Sequence, residues 1–202
     1  MNRLETKAAR ASGPAKAFFG TAGPTDRTVR TVRTDPSVGT DRTVQAVRTD
    51  ADWLAEAVDL ATWNVAEGGG PFGALIVQDG VALGRGVNRV TRDNDPTAHA
   101  EVCAIRAACA AKGDFRLNGA TLYTSCEPCP LCLSSALWAR VDRVLFAADR
   151  HDAARGGFDD LEFYELFARD RSEWVTEVAS IALPGAVAPF DAWLADLDRT
   201  RY

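Results

Sequence analysis

Two stretches decide how this chain folds: Asp95-Pro96-Thr97-Ala98-His99-Ala100-Glu101 and Ser125-Cys126-Glu127-Pro128-Cys129-Pro130-Leu131-Cys132. They offer one imidazole, a carboxylate two residues after it, and two thiols three residues apart. Asp95 is predicted to cap a helix with a proline in its first turn, where a missing N–H costs nothing. Since His99 and Glu101 then point to different helix faces, they share a pocket only if it wraps around the helix end.

The second stretch predicts a helix that begins at Pro130 and has Cys129 as its cap. Cys129 and Cys132 then point the same way, and the positive helix end favours their thiolate forms. With His99 they supply three ligands of a tetrahedral zinc ion and leave the fourth position for water, as in catalytic sites. A fourth ligand from Cys126 would instead close the site and make it structural. We expect the open site, with one zinc ion per chain.

Length, hydropathy and cysteine content limit the class of protein. The 202 residues are enough for one domain with a full core and an appendage. No apolar run reaches the roughly 18 residues that a membrane span requires, so no membrane partner is expected. Five cysteines, an odd number that includes a C-x-x-C pair, suit a metal site better than a disulfide framework. We therefore expect a cytoplasmic protein.

Charge and repeats divide the chain near residue 50. Residues 1–50 carry nine Lys/Arg and five Asp/Glu, and Thr25-Asp26-Arg27-Thr28-Val29 returns as Thr40-Asp41-Arg42-Thr43-Val44. With Phe18 and Phe19 as its only aromatic residues, this part is predicted to be a disordered, low-complexity extension. Residues 51–202 are predicted to form the catalytic domain, with a capping segment at about 170–202. Because this domain is acidic, no nucleic acid partner is expected.

The periodicity after residue 51 predicts alternating helices and strands. Leu54, Val58, Ala61 and Val65 recur at helical spacing, and Asp79-Gly80 predicts a hairpin turn. Strands are predicted over 72–78, 81–88, 121–125, 144–148 and 174–182, and further helices over 97–111, 130–139, 158–168 and 189–197. The apolar run 144–148 is typical of a strand covered on both faces. The order predicts an α/β fold, a three-layer αβα sandwich with a mixed, mainly parallel five-stranded sheet.

The spacing H-x-E…P-C-x-x-C resembles the signature of zinc-dependent nucleobase deaminases, the cytidine deaminase-like superfamily. Within it, residues 52–202 resemble the bacterial guanine deaminases. The segments that carry this resemblance are Gly70-Pro71-Phe72-Gly73-Ala74, Asn88, Asn94 to Glu101, Tyr123 to Pro130, Trp138-Ala139-Arg140, Gly157-Phe158-Asp159-Asp160 and the terminal Tyr202.

The resemblance implies hydrolytic deamination of guanine to xanthine and ammonia. It also implies a homodimer that exchanges its C-terminal segment, so that Tyr202 closes the pocket of the partner. Glu101 would move protons between water, base and leaving amine, and Asp160 would be a second proton carrier. The implied substrate contacts are Asn88 on the purine edge, Phe72 and Trp138 as ring-packing walls, Ala100, and Tyr202.

Two alternatives stay open at this point. One is a deaminase for another substrate, such as guanosine, a triazine like ammeline, or adenosine in tRNA, although the acidic domain weighs against tRNA. The other is a zinc-stabilised interaction module without turnover. Glu101 weighs against that module, because a structural zinc site has no need of a carboxylate beside an open position. Asp159-Asp160, taken without the resemblance, could equally be a solvated acidic turn.

Overall fold

The computed structural model describes residues 47–202, and the predicted extension over 1–50 lies outside this range except for its last few residues. Within these residues, no helix is both long and apolar enough to cross a bilayer. The helices are α1 (Asp50–Ala66), α2 (Val90–Asp93), α3 (Ala100–Lys112), α4 (Pro130–Trp138), α5 (Arg150–Arg155), α6 (Asp160–Phe167) and α7 (Ala188–Ala195). The strands are β1 (Gly73–Gln78), β2 (Val81–Val87), β3 (Thr121–Cys126) and β4 (Arg143–Ala148).

The sheet has the strand order β2-β1-β3-β4 in the described residues. β1 is antiparallel to both of its neighbours, and only β3 and β4 are parallel. A mixed sheet in an α/β fold is confirmed, whereas the prediction of a mainly parallel sheet is wrong. β2 and β3 do run the same way, but the hairpin at Asp79-Gly80 places β1 between them. Both turn residues have positive φ, 52° and 74°, as a type I′ turn requires.

The fifth strand predicted over 174–182 does not form in the described chain. Except for the half-buried Trp174, this segment is irregular and exposed, although its side chains alternate as in a strand. In consequence β4 is an edge strand, and Phe146 remains 43% exposed. The prediction that this strand is covered on both faces is therefore wrong for the described residues, since several of its side chains stay exposed.

The buried face of α1 differs from the predicted one. Val58 and Val65 are exposed, and the buried residues of the helix are Trp53, Ala57, Ala61 and Asn64. The reason is Gly73, where a Cβ would lie 2.4 Å from the Ala57 carbonyl oxygen. Because helix and strand approach so closely, only small side chains fit between them, and the larger valines turn outward.

Helix α3 packs on the opposite face of the sheet through a second set of close contacts. A Cβ at Gly86 would lie 2.1 Å from the Ala100 carbonyl oxygen, and one at Gly84 would lie 2.4 Å from that of Ala104. The helix begins at Ala100 with His99 as its cap, so the prediction that Asp95 caps it is wrong. Asp95 instead accepts hydrogen bonds from the backbone N–H and hydroxyl of Thr97, which satisfies it in a turn before the helix.

One edge of the sheet collects the functional segments. The pairings Gly73 with Val87 and Cys126 with Ala148 bring the start of β1 to the same edge as the ends of the other three strands. The chain leaves β3 directly into the cysteine loop, and β2 leads through α2 to the start of α3. Both metal-binding helices therefore begin at this edge.

Candidate active site

The three predicted zinc ligands lie together at the starts of α3 and α4. His99 and Cys129 are the caps of these helices, and Cys132 is one turn into α4. His99 Nδ1 lies 3.5 Å from Cys129 Sγ and 3.4 Å from Cys132 Sγ. A tetrahedral zinc ion, with Zn–S of about 2.3 Å and Zn–N of about 2.0–2.1 Å, sets such atoms about 3.5–3.6 Å apart. The donor set and its spacing fit zinc.

The cysteine pair shares one proton, and Cys129 is the member that favours the thiolate. A hydrogen bond from the Cys132 thiol, assisted by one to His99, lowers the pKa of Cys129 to about 4 despite burial. The same shared proton raises the pKa of Cys132. Cys126 behaves differently: its thiol donates to the Asp149 carbonyl oxygen at 3.4 Å, and burial raises its pKa to about 12. Cys126 is not part of the metal-binding group found among residues 47–202, which favours an open site.

Glu101 lies beside the ligands in the first turn of α3 and is only 4% exposed. One carboxylate oxygen accepts from the Thr124 hydroxyl at 3.3 Å, and the other lies 3.3 Å from Cys132 Sγ. Burial raises the pKa of Glu101. A raised pKa suits a carboxyl group that takes up and releases protons near neutral pH.

A pocket of about 380 Å³ opens in front of Glu101 and the ligands. Its volume falls within the range of small-molecule sites. Phe72 and Phe158 form one wall, with their rings edge to face and 4.8 Å between centroids. The remaining lining residues are Gly68, Gly69, Gly70, Asn88, Val90, Thr91, His99, Cys129 and Asp160. The predicted Phe72, Asn88, Asp160 and Glu101 thus share one cavity.

Comparison with known proteins establishes the family. Residues 47–148 match the model of the cytidine and deoxycytidylate deaminase zinc-binding region. The chain belongs to this zinc-dependent deaminase family. It is 46% identical to guanine deaminase of Bacillus subtilis (strain 168) over 151 residues, which are 74% of this chain and 97% of that protein. The cofactor of the deaminase is therefore zinc, and the group of His99, Cys129 and Cys132 accommodates one ion.

Solved structures agree with this assignment. The X-ray structure of guanine deaminase from Bacillus subtilis matches with a TM-score of 0.74 at 44% identity, covering 77% of this chain and 99% of that one. A mutant relative crystallised with 8-azaguanine matches with a TM-score of 0.55 at 30% identity, covering 56% of this chain and 66% of that one. The deaminase thus has the cytidine deaminase-like fold, here with four strands in the described residues.

Three residues predicted to contact substrate do not line the pocket of the deaminase. Ala100 is buried at the start of α3, against Gly86. Trp138, at the end of α4, is 61% exposed, and Tyr202 is 72% exposed. The Tyr202 ring lies 5.9 Å from that of Trp138 and 6.2 Å from that of Trp193, measured between centroids. Within one chain, these aromatic residues form a separate cluster.

Several residues in the pocket or directly behind it are not among those predicted from the sequence. Phe158 lies only two residues before Asp160, and this spacing in front of a predicted proton carrier is the signal that could have found it. The glycines 68–70, which follow α1, also line the pocket. Asn64 interrupts the buried face of α1 as its one polar member, and a polar residue in such a stripe calls for a partner.

A polar clamp joins the cysteine loop of the deaminase to α5 and α6. The Arg150 guanidinium donates to both carboxylate oxygens of Glu127 and lies 3.6 Å above the ring of Tyr164. The Tyr164 hydroxyl donates to the Pro128 carbonyl oxygen at 2.7 Å. Because Asp160 begins α6, the clamp fixes its position relative to Cys129. Burial, together with the nearby Cys129 thiolate, raises the pKa of Asp160.

Proposed function

We propose that this deaminase hydrolyses the C2 amino group of guanine, giving xanthine and ammonia. The observation that carries the proposal is the buried Glu101 carboxyl, placed between three zinc ligands and a pocket with aromatic and amide walls. The similarity to guanine deaminase of Bacillus subtilis over nearly all of that protein supports guanine as the substrate. Zinc, when bound, supplies Lewis-acid chemistry that activates water at neutral pH.

The side chains of the pocket transfer protons and bind the substrate. Glu101 takes a proton from the attacking water, delivers it to the ring nitrogen beside C2, and helps to protonate the departing amine. Asp160 is the second proton carrier at the amine, and its raised pKa supports this role. Asn88 binds the purine edge, and Phe72 packs against the purine ring. The Phe158 ring, edge-on to Phe72, holds that wall in place.

We further propose that the active form is a homodimer that exchanges residues from about 170 to 202. Among residues 169–202 only Trp174 and Arg199 are partly buried. Ile181, Leu183 and Leu197 are 88%, 69% and 91% exposed. Several exposed apolar side chains in one segment are typical of a surface that binds a protein partner. The rest of the domain offers exposed apolar residues that such a segment can cover, namely Leu137, Trp138, Phe146, Phe163 and Phe167.

The exchange also accounts for the fifth predicted strand. The outer edge of β4 has no strand beside it among residues 47–202. An alternating segment such as 174–182, contributed by the partner, can pair with that edge and complete five strands. Tyr202 at the end of the exchanged segment would then reach the partner's pocket. In this arrangement Trp138 contributes to the completed site.

The proposed setting is the cytoplasm, with one catalytic domain over residues 51–202 and a small purine as the only ligand besides zinc. All five cysteines are free thiols in the structure, which suits a reducing compartment. Neither nucleic acid nor a membrane is proposed as a partner.

Ammonia release across a substrate panel tests the proposal. The zinc-loaded protein should release ammonia from guanine faster than from guanosine, ammeline, adenine, cytosine or tRNA adenosine. The variant Glu101→Gln should retain zinc and lose turnover by ~10²–10⁴ or more, because one carboxyl serves several proton transfers. Near-normal turnover by this variant would favour a different proton carrier, and no ammonia from any substrate would favour the non-catalytic module.

A further inference from the structure

A fully buried amide lies directly behind the pocket wall. Asn64, on the inner face of α1, is 0% exposed. Its amide nitrogen donates to two main-chain carbonyl oxygens, those of Gly70 and Asn88, each at 2.8 Å. Its amide oxygen accepts from Arg92 Nη2 at 3.0 Å. Asn64 thus uses both N–H donors and its acceptor inside the protein, and it is not among the residues that line the pocket.

These bonds connect three segments at the border of the pocket. Gly70 belongs to the glycine loop after α1, Asn88 ends β2, and Arg92 is in α2. The loop follows the contour of Asn64 closely, because the Gly69 N–H donates to the Asn64 carbonyl oxygen at 2.8 Å. A Cβ at Gly69 would lie 2.4 Å from the Asn64 side chain, so glycine is required for this approach.

The geometry points to Asn64 as a positioning residue for substrate binding. Two carbonyl oxygens converge on one site, and a primary amide is the neutral side-chain group with two N–H donors to satisfy both. Without it, the carbonyls of Gly70 and Asn88 repel each other or lose their partners, and both segments shift. The inference rests on the proposed function in one respect, that the Asn88 side chain binds the purine edge.

The variant Asn64→Asp tests this role at constant shape. It keeps an acceptor for Arg92 but replaces the NH₂ group with an oxygen that faces two carbonyl oxygens. We expect KM for guanine to rise about tenfold or more, since two buried hydrogen bonds are lost at the pocket wall. The fall in kcat should be smaller, and one zinc per chain should remain. The Kd of 8-azaguanine, measured in the Glu101→Gln background, should rise with KM.

A matched control separates positioning from general stability. Ala61→Gly weakens the same helix about one turn earlier and removes no side-chain hydrogen bond to the glycine loop or to Asn88. At an equal loss of Tm, it should leave KM and the Kd of 8-azaguanine near wild type. If both variants raise Kd equally, Asn64 is merely structural and the inference is wrong. Should Asn64→Asp not fold, Asn64→Ala provides the same comparison without repulsion.

Amide hydrogen exchange makes the test independent of the substrate. In the zinc-loaded protein, amides of residues 68–72 and 88–92 should exchange faster in Asn64→Asp than in Ala61→Gly. If wild-type protein fails to release ammonia from guanine, the proposed function is wrong, but the exchange rates still decide the role of Asn64. Unchanged exchange in both segments would overturn it.

Discussion

Two regions of this chain differ in how far their apolar side chains are buried. Between residues 50 and 168, the sheet and its helices bury Leu75, Ile76 and Leu122 completely. From residue 169 to the end, apolar residues are as frequent, yet Phe190 and Leu194 are 69% and 62% exposed. The apolar side chains of the first region pack against other residues of the same region, whereas most of those in the second region stay exposed. Such an exposed apolar segment supports the proposal that another chain covers it.

The same difference separates the metal site from the proposed closure of the pocket. The zinc ligands and Glu101 come from the region that packs on itself, so their geometry is complete in one chain. The aromatic residues Trp138 and Tyr202 depend on the exposed region and stay outside the pocket. Variants in each region should therefore fail in different ways, the first by loss of metal and fold, and the second by loss of turnover alone.

The largest effect is expected from Cys132→Ser in the self-packed region. Loss of a thiolate ligand should lower zinc from one equivalent to nearly none, abolish turnover, and reduce Tm, because metal binding and folding are coupled. Elemental analysis after desalting and thermal unfolding measure these changes. Cys126→Ser is the matched control, since this buried thiol bonds to the Asp149 carbonyl instead. Loss of zinc from the control would indicate a closed, structural site.

Deletion of Arg201-Tyr202 tests the exposed region. Zinc content and Tm should stay near wild type, while kcat/KM for guanine should fall ~100-fold, because an open pocket admits water and misplaces the base. The double readout distinguishes this variant from Cys132→Ser, which loses all three properties. Unchanged turnover would mean that the terminal aromatic residue has no part in closing any pocket.

Mixing two inactive variants determines which chain the tail serves. Heterodimers of Glu101→Gln chains and tail-deleted chains pair an intact carboxyl with a tail from the other chain. If the segment is exchanged, turnover should reappear when the variants are refolded together. If Tyr202 instead stays with Trp138 and Trp193 of its own chain, as in the single-chain structure, no mixture will recover activity.

Local chemistry predicted most of the self-packed region. The Cys129 cap of α4 and the hairpin turn at Asp79-Gly80 depend on neighbouring residues, and both appear where the sequence indicates them, whereas the Asp95 cap of α3 does not. The predicted metal-binding group of His99, Cys129 and Cys132 also forms. The antiparallel pairing of β1 with β3 joins segments that are distant in the sequence. The periodicity within each segment does not indicate which strands pair or in which direction. Which side of α1 is buried depends on Gly73, which lies in β1. The segment 174–182 forms no strand although the outer edge of β4 is free in the described residues, because alternation alone does not decide whether a segment reaches an edge.

The smallest effect is expected at the boundary where the self-packed region begins. Thr49 caps α1: its hydroxyl accepts from the Asp52 N–H at 3.3 Å, while the Asp52 carboxylate accepts from the Thr49 N–H at 2.8 Å. Thr49→Ala should therefore lower the free energy of unfolding by ~0.5–2 kcal/mol without changing kcat or zinc content. Urea denaturation and steady-state kinetics provide the two measurements.

A pair of truncations tests at which residue the catalytic domain begins. Removing residues 1–46 keeps the capping box and should leave stability and turnover unchanged, as the sequence predicts for a low-complexity extension. Removing residues 1–49 also deletes Thr49, and with it Arg48, whose guanidinium lies 3.6 Å above the Trp53 ring. The second truncation should therefore lose at least as much stability as Thr49→Ala. If the first truncation already lowers Tm or kcat, residues before 47 contribute to the catalytic domain, and its proposed limit is wrong.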